Sequence, residues 1–204
     1  MNKRELIRDL ISSLAHSEPM SKVMMLAQAV SFELYNNKFS DWVRKEQRGY
    51  HNSKDEDIPQ YRDIPCILRA DIFIPFRGIM TNFTIPADII KEETVRKFVS
   101  SVKLPQSLTE LEQIHNQNGG EEIKLGVPGS FFPFIDKYLE TGNVQRAYRS
   151  LSATVPSAII NTVKAKMLDF LSYMNREIDL DADFRDENIQ EQLTNFFNKY
   201  IWNE

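Results

Sequence analysis

The amino-acid sequence predicts an α+β fold, in which an N-terminal helical bundle precedes a small antiparallel β-sheet and long helices follow it. Two patterns carry this prediction. Apolar residues recur at helical spacing near both ends of the chain, and they alternate with polar residues between about 62 and 85. The composition, with 42% hydrophobic and 26% charged residues, is ordinary for a folded protein and excludes general disorder.

Two helices are predicted at the start of the chain. Over 3–16, apolar residues follow one another at intervals of three and four, which is typical of an amphipathic helix. Pro19 separates this segment from the next one. Residues 20–36 are apolar on nearly all sides, which predicts a helix in the centre of the bundle.

A third helix is predicted at 38–48. Asn37 or Ser40 is a suitable N-cap, because both side chains can accept a hydrogen bond from the first backbone amides. Gly49 is a suitable end, since it adopts the left-handed conformation without a steric penalty.

After a polar loop at 51–60, apolar and polar residues begin to alternate with a period of two. "PFRG" provides a turn within this region, and the alternation continues after it to Ile85. The pattern predicts a β-hairpin at about 62–85 with one buried face. The residues expected on that face are Ile64, Cys66, Leu68, Ala70, Ile72, Ile74, Ile79, Thr81, Phe83 and Ile85.

Helices dominate the rest of the predicted fold. The spacing of Ser107 and Glu110 is that of a capping box, which marks the start of a helix. Pro156 is tolerated in the first turn of another helix. The helices are predicted at about 92–101, 108–117, 130–140 and 155–177, with a strand at 123–127.

The C-terminal part is predicted to be separate from a domain over 1–177. Residues 178–186 are read as a solvated acidic linker, and 187–204 as an amphipathic helix. The acidic charge is concentrated here, because residues 176–204 hold three basic and eight acidic side chains. Three aspartates of the linker are spaced as at the start of an EF-hand, but Phe184 and Gln190 replace the glycine and glutamate that calcium requires.

No catalytic constellation is recognisable. The sequence contains neither a phosphate-binding glycine loop nor a nucleophile elbow, and its three histidines are far apart. Cys66 lies on the predicted buried face and is read as a core residue. We therefore predict no metal and no cofactor, and the sequence favours a protein that is not an enzyme. One cysteine and the absence of a signal peptide or membrane span predict a cytoplasmic protein.

The segment "SDWVRKEQRGY" contains the first candidate site. Trp42 and Glu46 share a face of the predicted helix, so the carboxylate would point toward apolar neighbours and need a partner. Arg62 and the hydroxyls of Tyr50 and Tyr61 are the candidate partners. The structural interpretation is a polar knot that holds the following loop, and the functional interpretation is a ligand pocket.

Two further groups of side chains are candidates for binding. Five basic residues flank aromatic ones and are predicted to form a phosphate-contacting patch, although the net charge of −4 favours an ordinary solvated surface. They are Arg44, Lys45, Arg48, Arg146 and Arg149. The last helix carries Phe196, Phe197 and Tyr200 on one face, which suits homo-oligomerisation or docking on a partner protein, or simply packing on the core.

"DWVRKEQRGY" followed by "IPQYRDI" resembles the signature of the AbiTii domain family of bacterial abortive-infection proteins. The opening helix pair, "KLPQSLTELEQI" and "PSAIINTVKAKMLDFL" extend the resemblance over roughly 3–177. The chain departs from the expected pattern at Gln47 and Arg48, where a leucine would follow Glu46. The resemblance implies defence against bacteriophage without implying a catalytic residue.

Two functions follow as expectations. The first is a non-catalytic sensing or protein-interaction module with a protein partner or second copy and a phage-derived trigger. The second is a toxin with nuclease activity, in which His51 or His115 acts beside the basic residues. Binding of nucleic acid is compatible with the sequence but not favoured by its charge.

Overall fold

The computed structural model describes residues 3–16 and 18–202, and the chain divides into two compact units. The helical unit contains the chain up to Gln60, Pro105–Asn116 and the chain from Pro156 onward. The mixed unit contains Tyr61–Leu104 and Gln117–Val155. Helices occupy both ends of the chain and strands lie between them, so the predicted α+β class is confirmed.

Eight α-helices occur in the described part of the chain, and six of them belong to the helical unit. The last helix continues into a π-helical turn, Asn198–Trp202. The helices are α1 (Lys3–Ala15), α2 (Met20–Leu34), α3 (Asn37–Arg48), α4 (Glu93–Ser100), α5 (Leu108–Gln117), α6 (Phe132–Asp136), α7 (Val155–Glu177) and α8 (Glu187–Phe197).

Most predicted helices are found within one or two residues of their expected ends. The capping box of α5 is confirmed, because Ser107 Oγ accepts from the Glu110 amide at 3.2 Å while Glu110 Oε2 accepts from the Ser107 amide at 2.7 Å. The prediction for 130–140 is too long, since α6 has only five residues. The predicted end of the last helix at 204, and the domain start at 1, lie outside the described residues.

The mixed unit contains two antiparallel sheets. Strands β1 (Asp63–Pro65) and β4 (Ser101–Lys103) form a two-stranded sheet. The larger sheet has the order β3-β2-β6-β5. Its strands are β2 (Ile67–Ile74), β3 (Gly78–Ile85), β5 (Ile123–Gly126) and β6 (Asn143–Leu151).

The predicted hairpin is present as β2 and β3, but its predicted buried face is only half correct. Leu68, Ala70 and Ile72 of β2 are buried as expected. On β3 only Ile85 is buried, because β3 lies at the edge of the sheet with neither face covered. The expectation that Ile79 and Phe83 belong to the core is therefore wrong.

The segment between α7 and α8 is not the solvated linker that its acidity predicts. Its apolar side chains Ile178, Leu180 and Phe184 are buried. Arg4 of α1 lies 2.7 Å from Asp181 and 3.5 Å from Asp179, so two of the exposed aspartates form ion pairs. The segment is packed through its apolar residues, which alternate with the acidic ones.

Candidate functional site

The start of α3 is fixed by a buried cap. Asn36, rather than the predicted Asn37 or Ser40, accepts a hydrogen bond from the Phe39 amide at 3.1 Å. Its amide nitrogen donates to Gln190 Oε1 and Thr194 Oγ1 of α8, both at 3.2 Å. The cap therefore orients α3 relative to the C-terminal helix of the same unit.

The end of α3 is fixed by Gly49, as predicted. Its φ of 85° belongs to the left-handed region, and its amide donates to the Lys45 carbonyl at 2.8 Å. A Cβ atom at this position would lie 2.7 Å from the Pro105 carbonyl oxygen. The next amide, that of Tyr50, donates to the same oxygen at 2.7 Å. Only glycine allows the chain to approach Pro105 this closely.

The polar knot has one confirmed contact. The Tyr50 hydroxyl donates to Glu46 Oε1 at 2.6 Å, and both side chains are buried. Arg62 is buried in the mixed unit, where its Nη1 donates to the Leu104 carbonyl at 2.9 Å. Tyr61 is half-buried in the same unit. The pairing of Glu46 with Arg62 stays a prediction.

A cavity of about 280 Å³ lies beside α3 in the helical unit, and we call it the aromatic cavity. One wall carries side chains of α3 and the other carries residues of the C-terminal turn. The Phe197 and Trp202 rings are stacked at 6.5 Å between centroids, and Trp202 is 45% exposed. The cavity is lined by Lys38, Asp41, Trp42, Lys45, Phe197 and Trp202, among others.

A second cavity of about 280 Å³, the basic cavity, begins at the last turn of α3. Three of the five predicted phosphate-contacting residues line it together with the loop that follows the helix. Arg44 is held by Asp41 at 2.6 Å, whereas the side chains of Lys45 and Arg48 form no ion pair or hydrogen bond within the described parts of the chain. The lining residues are Arg44, Lys45, Arg48, Gly49, His51, Asn52 and Ser53.

His51 links the basic cavity to the start of α5. Its Nε2 lies 3.7 Å from Glu110 Oε2. The Ser107 backbone amide donates to this carboxylate and, together with the Ser107 hydroxyl and nearby His51, holds the pKa of Glu110 below its usual range. The histidine therefore lines a cavity with three cations and also lies next to a carboxylate outside that lining.

The other two predicted phosphate-contacting residues have partners in the mixed unit. Arg146 Nη2 lies 3.0 Å from an Asp71 oxygen. The Arg149 guanidinium lies 4.1 Å from the Phe98 ring centroid and donates to the Phe98 and Ser101 carbonyls. Burial lowers the pKa of Arg149. The structure does not bring these two residues into the basic cavity, whose lining belongs to the helical unit.

The aromatic face of the last helix packs within the helical unit. Phe196 and Tyr200 contact the Tyr173 ring of α7 at centroid distances of 5.8 and 4.5 Å. Phe197 is buried. The three residues of the predicted interaction surface therefore make contacts within the unit. The role of this surface in oligomerisation or docking stays a prediction.

The exposed edge strand β3 is a candidate interaction surface that sequence reasoning missed. Ile79 is 61% exposed, and Met80 and Phe83 are also exposed. A groove of about 320 Å³ lies beside the strand, lined by apolar residues of β2 and β3 and by Leu139. One sequence feature could have indicated this surface: no charged residue occurs between Gly78 and Ile85.

Two further properties of the described residues bear on function. Within 3–16 and 18–202, no group of three or more His, Cys, Asp or Glu side chains is arranged to hold a metal ion. In the same ranges, every helix is too short or too polar to cross a membrane.

Comparison with known proteins gives one match. Residues 5–195 match the AbiTii family, which extends the resemblance past 177 through the packed acidic segment and most of α8. No curated protein and no solved structure matches the chain. The family implies abortive infection and phage defence.

Proposed function

Because the chain belongs to the AbiTii family, we propose that it acts in abortive infection as a non-catalytic module that senses or binds a protein. The observation that supports the interaction is the exposed, uncharged edge strand β3. In this proposal a partner protein adds an extended segment to β3. The partner is a phage-derived trigger or another component of the defence system.

An edge strand offers unpaired backbone amides and carbonyls to any extended chain. Proteins usually protect such edges with lysine, proline or a covering element. Between Gly78 and Ile85 the strand has neither a charged residue nor a proline. Ile79, Met80 and Phe83 are instead exposed, which favours association through this edge.

The groove beside β3 supports recognition of a particular segment. In strand addition, backbone hydrogen bonds provide affinity and pockets for alternate side chains provide specificity. The groove is lined by Ile74, Met80, Phe83 and Leu139, among others. The segment that fits is therefore extended and apolar at alternate positions.

A lysine in the strand tests this proposal. In Ile79→Lys, the new ammonium would have to be desolvated by an added strand, while the 61% exposed position tolerates it in the free protein. We expect cells that carry the otherwise intact defence system to lose resistance to phage, measured as plating efficiency. In a complex recovered from infected cells, the amides of β3 should exchange hydrogen more slowly than in the free protein.

Phe32→Lys is the matched control, because Phe32 is an exposed apolar residue of α2 with 67% exposure. This variant should keep full resistance. Immunoblotting and circular dichroism establish that both variants are folded and equally abundant. If folded Ile79→Lys protein restricts phage as well as the parent, the edge strand is not the interaction surface.

The second candidate function is a nuclease toxin, favoured by the position of His51 between the basic cavity and Glu110. It predicts that the purified protein cleaves RNA or DNA and that His51→Ala abolishes cleavage. His115→Ala is the control, since His115 is exposed on α5 and does not line that cavity. Absence of cleavage of either polymer with several divalent metals would contradict this function.

A further inference from the structure

Lys45 lines both the aromatic and the basic cavity, so the two cavities adjoin along α3. Helical spacing explains this position. Lys38, Trp42 and Lys45 are separated by four and three residues and share one stripe of the helix. Arg44 and Arg48 are four residues apart on the neighbouring stripe. Both stripes belong to the helical unit.

The sizes and the adjacency of the two cavities are compatible with one ligand that has two parts. Each cavity has about 280 Å³. Sites for whole small molecules begin at roughly 300 Å³. Both volumes lie near this lower limit, and two linked groups could each occupy one cavity.

The basic cavity has the chemistry of a site for phosphate. None of its lining residues is acidic, and the side chains of Lys45 and Arg48 form no ion pair or hydrogen bond with a described residue. Two carboxylates outside the lining contact residues of this cavity, Asp41 through Arg44 and Glu110 through His51. Asp41 pairs with Arg44 at 2.6 Å, and Glu110 accepts the Ser107 amide at 2.7 Å.

The aromatic cavity has the chemistry of a site for a planar ring. Trp202 is 45% exposed and offers a ring face on which a base can stack. Asp41 and the Asn198 side chain, both in the lining, can exchange hydrogen bonds with the edge of such a ring. Lys38 already donates to Asn198 Oδ1 at 3.1 Å, which orients the amide.

We propose that the two cavities together bind a nucleotide, with the base in the aromatic cavity, the phosphate in the basic cavity and Lys45 between them. Cations in the last turn of a helix also stabilise that helix by themselves. The adjoining aromatic cavity is the second, independent observation, because helix stabilisation does not require it. The inference goes beyond the proposed interaction module and does not depend on strand β3.

A nucleotide can be free or can form the end of a nucleic-acid chain, and binding measurements separate the two sources. The probes are ATP, adenosine, tripolyphosphate and a mixed-sequence RNA pentanucleotide with a 5′-phosphate, each titrated into the full-length protein. Trp42 and Trp202 are the two tryptophans of the sequence and both line the aromatic cavity, so intrinsic fluorescence reports its occupancy. Calorimetry provides the affinities independently.

We expect ATP to quench the fluorescence and to bind at least tenfold more tightly than adenosine or tripolyphosphate. Arg48→Ala and Lys45→Ala should weaken ATP and tripolyphosphate by fivefold or more. Trp202→Leu should weaken ATP similarly and leave tripolyphosphate unchanged. Arg8→Ala is the control, because Arg8 is an exposed cation of α1 in the same unit and should change neither affinity.

Tighter binding of the pentanucleotide than of ATP assigns the site to nucleic-acid ends, and the reverse order assigns it to free nucleotides. The inference is overturned if neither binds at millimolar concentration, if ATP binds no more tightly than tripolyphosphate, or if Trp202→Leu and Arg8→Ala behave alike. None of these results affects the phage-plating test of Ile79→Lys, so the two proposals can fail separately.

Discussion

The Tyr50 hydroxyl donates to Glu46 Oε1 across 2.6 Å, and this bond joins the buried face of α3 to the loop that follows it. Glu46 lies where an apolar residue would be expected, so its carboxylate depends on donors that the fold supplies. A buried hydrogen bond to a charged group contributes about 1.5–3 kcal/mol. The bond therefore makes the glutamate compatible with the core.

Tyr50→Phe should lower the free energy of unfolding by about 1.5–3 kcal/mol, because it removes a donor and leaves the buried carboxylate in place. Urea denaturation followed by circular dichroism measures the change. Tyr148→Phe is the control, since its hydroxyl bonds to Asn82 Oδ1 at an exposed site. Equal effects of the two substitutions would contradict the special role of Tyr50.

Gly49→Ala should destabilise the protein more than Gly119→Ala. Both glycines have positive φ, 85° and 56°, so both substitutions carry the strain of the left-handed region. At Gly49 the new Cβ would also lie 2.7 Å from the Pro105 carbonyl oxygen, whereas nothing lies within 4 Å at Gly119. We expect the difference in unfolding free energy to be roughly 1–3 kcal/mol, and a difference near zero would show that the chain moves freely away from Pro105.

Asp71 should make the stability of the protein depend on pH in the acidic range. The Asn82 backbone amide, at 2.9 Å, and then Arg146 favour the charged form and hold the pKa of Asp71 below its usual range. A carboxyl whose pKa is lower in the folded state stabilises the fold above its unfolded pKa of about 3.9. That stabilisation disappears as the pH falls through the folded pKa.

Asp71→Asn should therefore be less stable than the parent at pH 7, and the gap should shrink as the pH falls below about 4. Thermal denaturation over a pH series measures it. Asp88→Asn, at an exposed position, should follow the parent at every pH. A gap for Asp71→Asn that does not change with pH would contradict this assignment.

Arg149→Gln should affect stability rather than ligand binding. The substitution removes a guanidinium that lies over the Phe98 ring and donates to two carbonyls, at a cost of about 1–3 kcal/mol. Affinity for tripolyphosphate should equal that of the parent. Weaker phosphate binding by a folded Arg149→Gln protein would instead support the original patch of five basic residues.

Helices were predictable from the sequence because their signals are local. The capping box of α5 and the glycine that ends α3 each depend on residues that lie within five consecutive positions of the sequence. Strand β6 was missed although it lies between β2 and β5. Its buried residues Val144 and Ala147 are three apart, since Gln145 is an extra residue at an irregularity in the pairing with β2, and this interrupts the period of two.

The candidate site was predictable only where its residues share α3. Trp42 and Lys45 are three residues apart on α3, and Tyr50 lies just beyond the end of that helix. Phe197 and Trp202 complete the aromatic cavity from some 150 residues away in the chain, which no local pattern indicates. The contacts of Arg146 and Arg149 were not predictable for the related reason that Asp71 and Phe98, their partners, are also distant in sequence.

The irregularity in β3 limits how long a segment the edge strand can recognise. Ala70 pairs with Phe83 and Ile72 with Met80, so Thr81 and Asn82 together face Asp71, and Asn82 has a φ of 58°. The free edge is interrupted at the same two residues. A partner can then pair without a break with about three residues on either side, a length of roughly 10 Å. In the proposed strand addition, each half binds weakly by itself, so a partner can be released one half at a time.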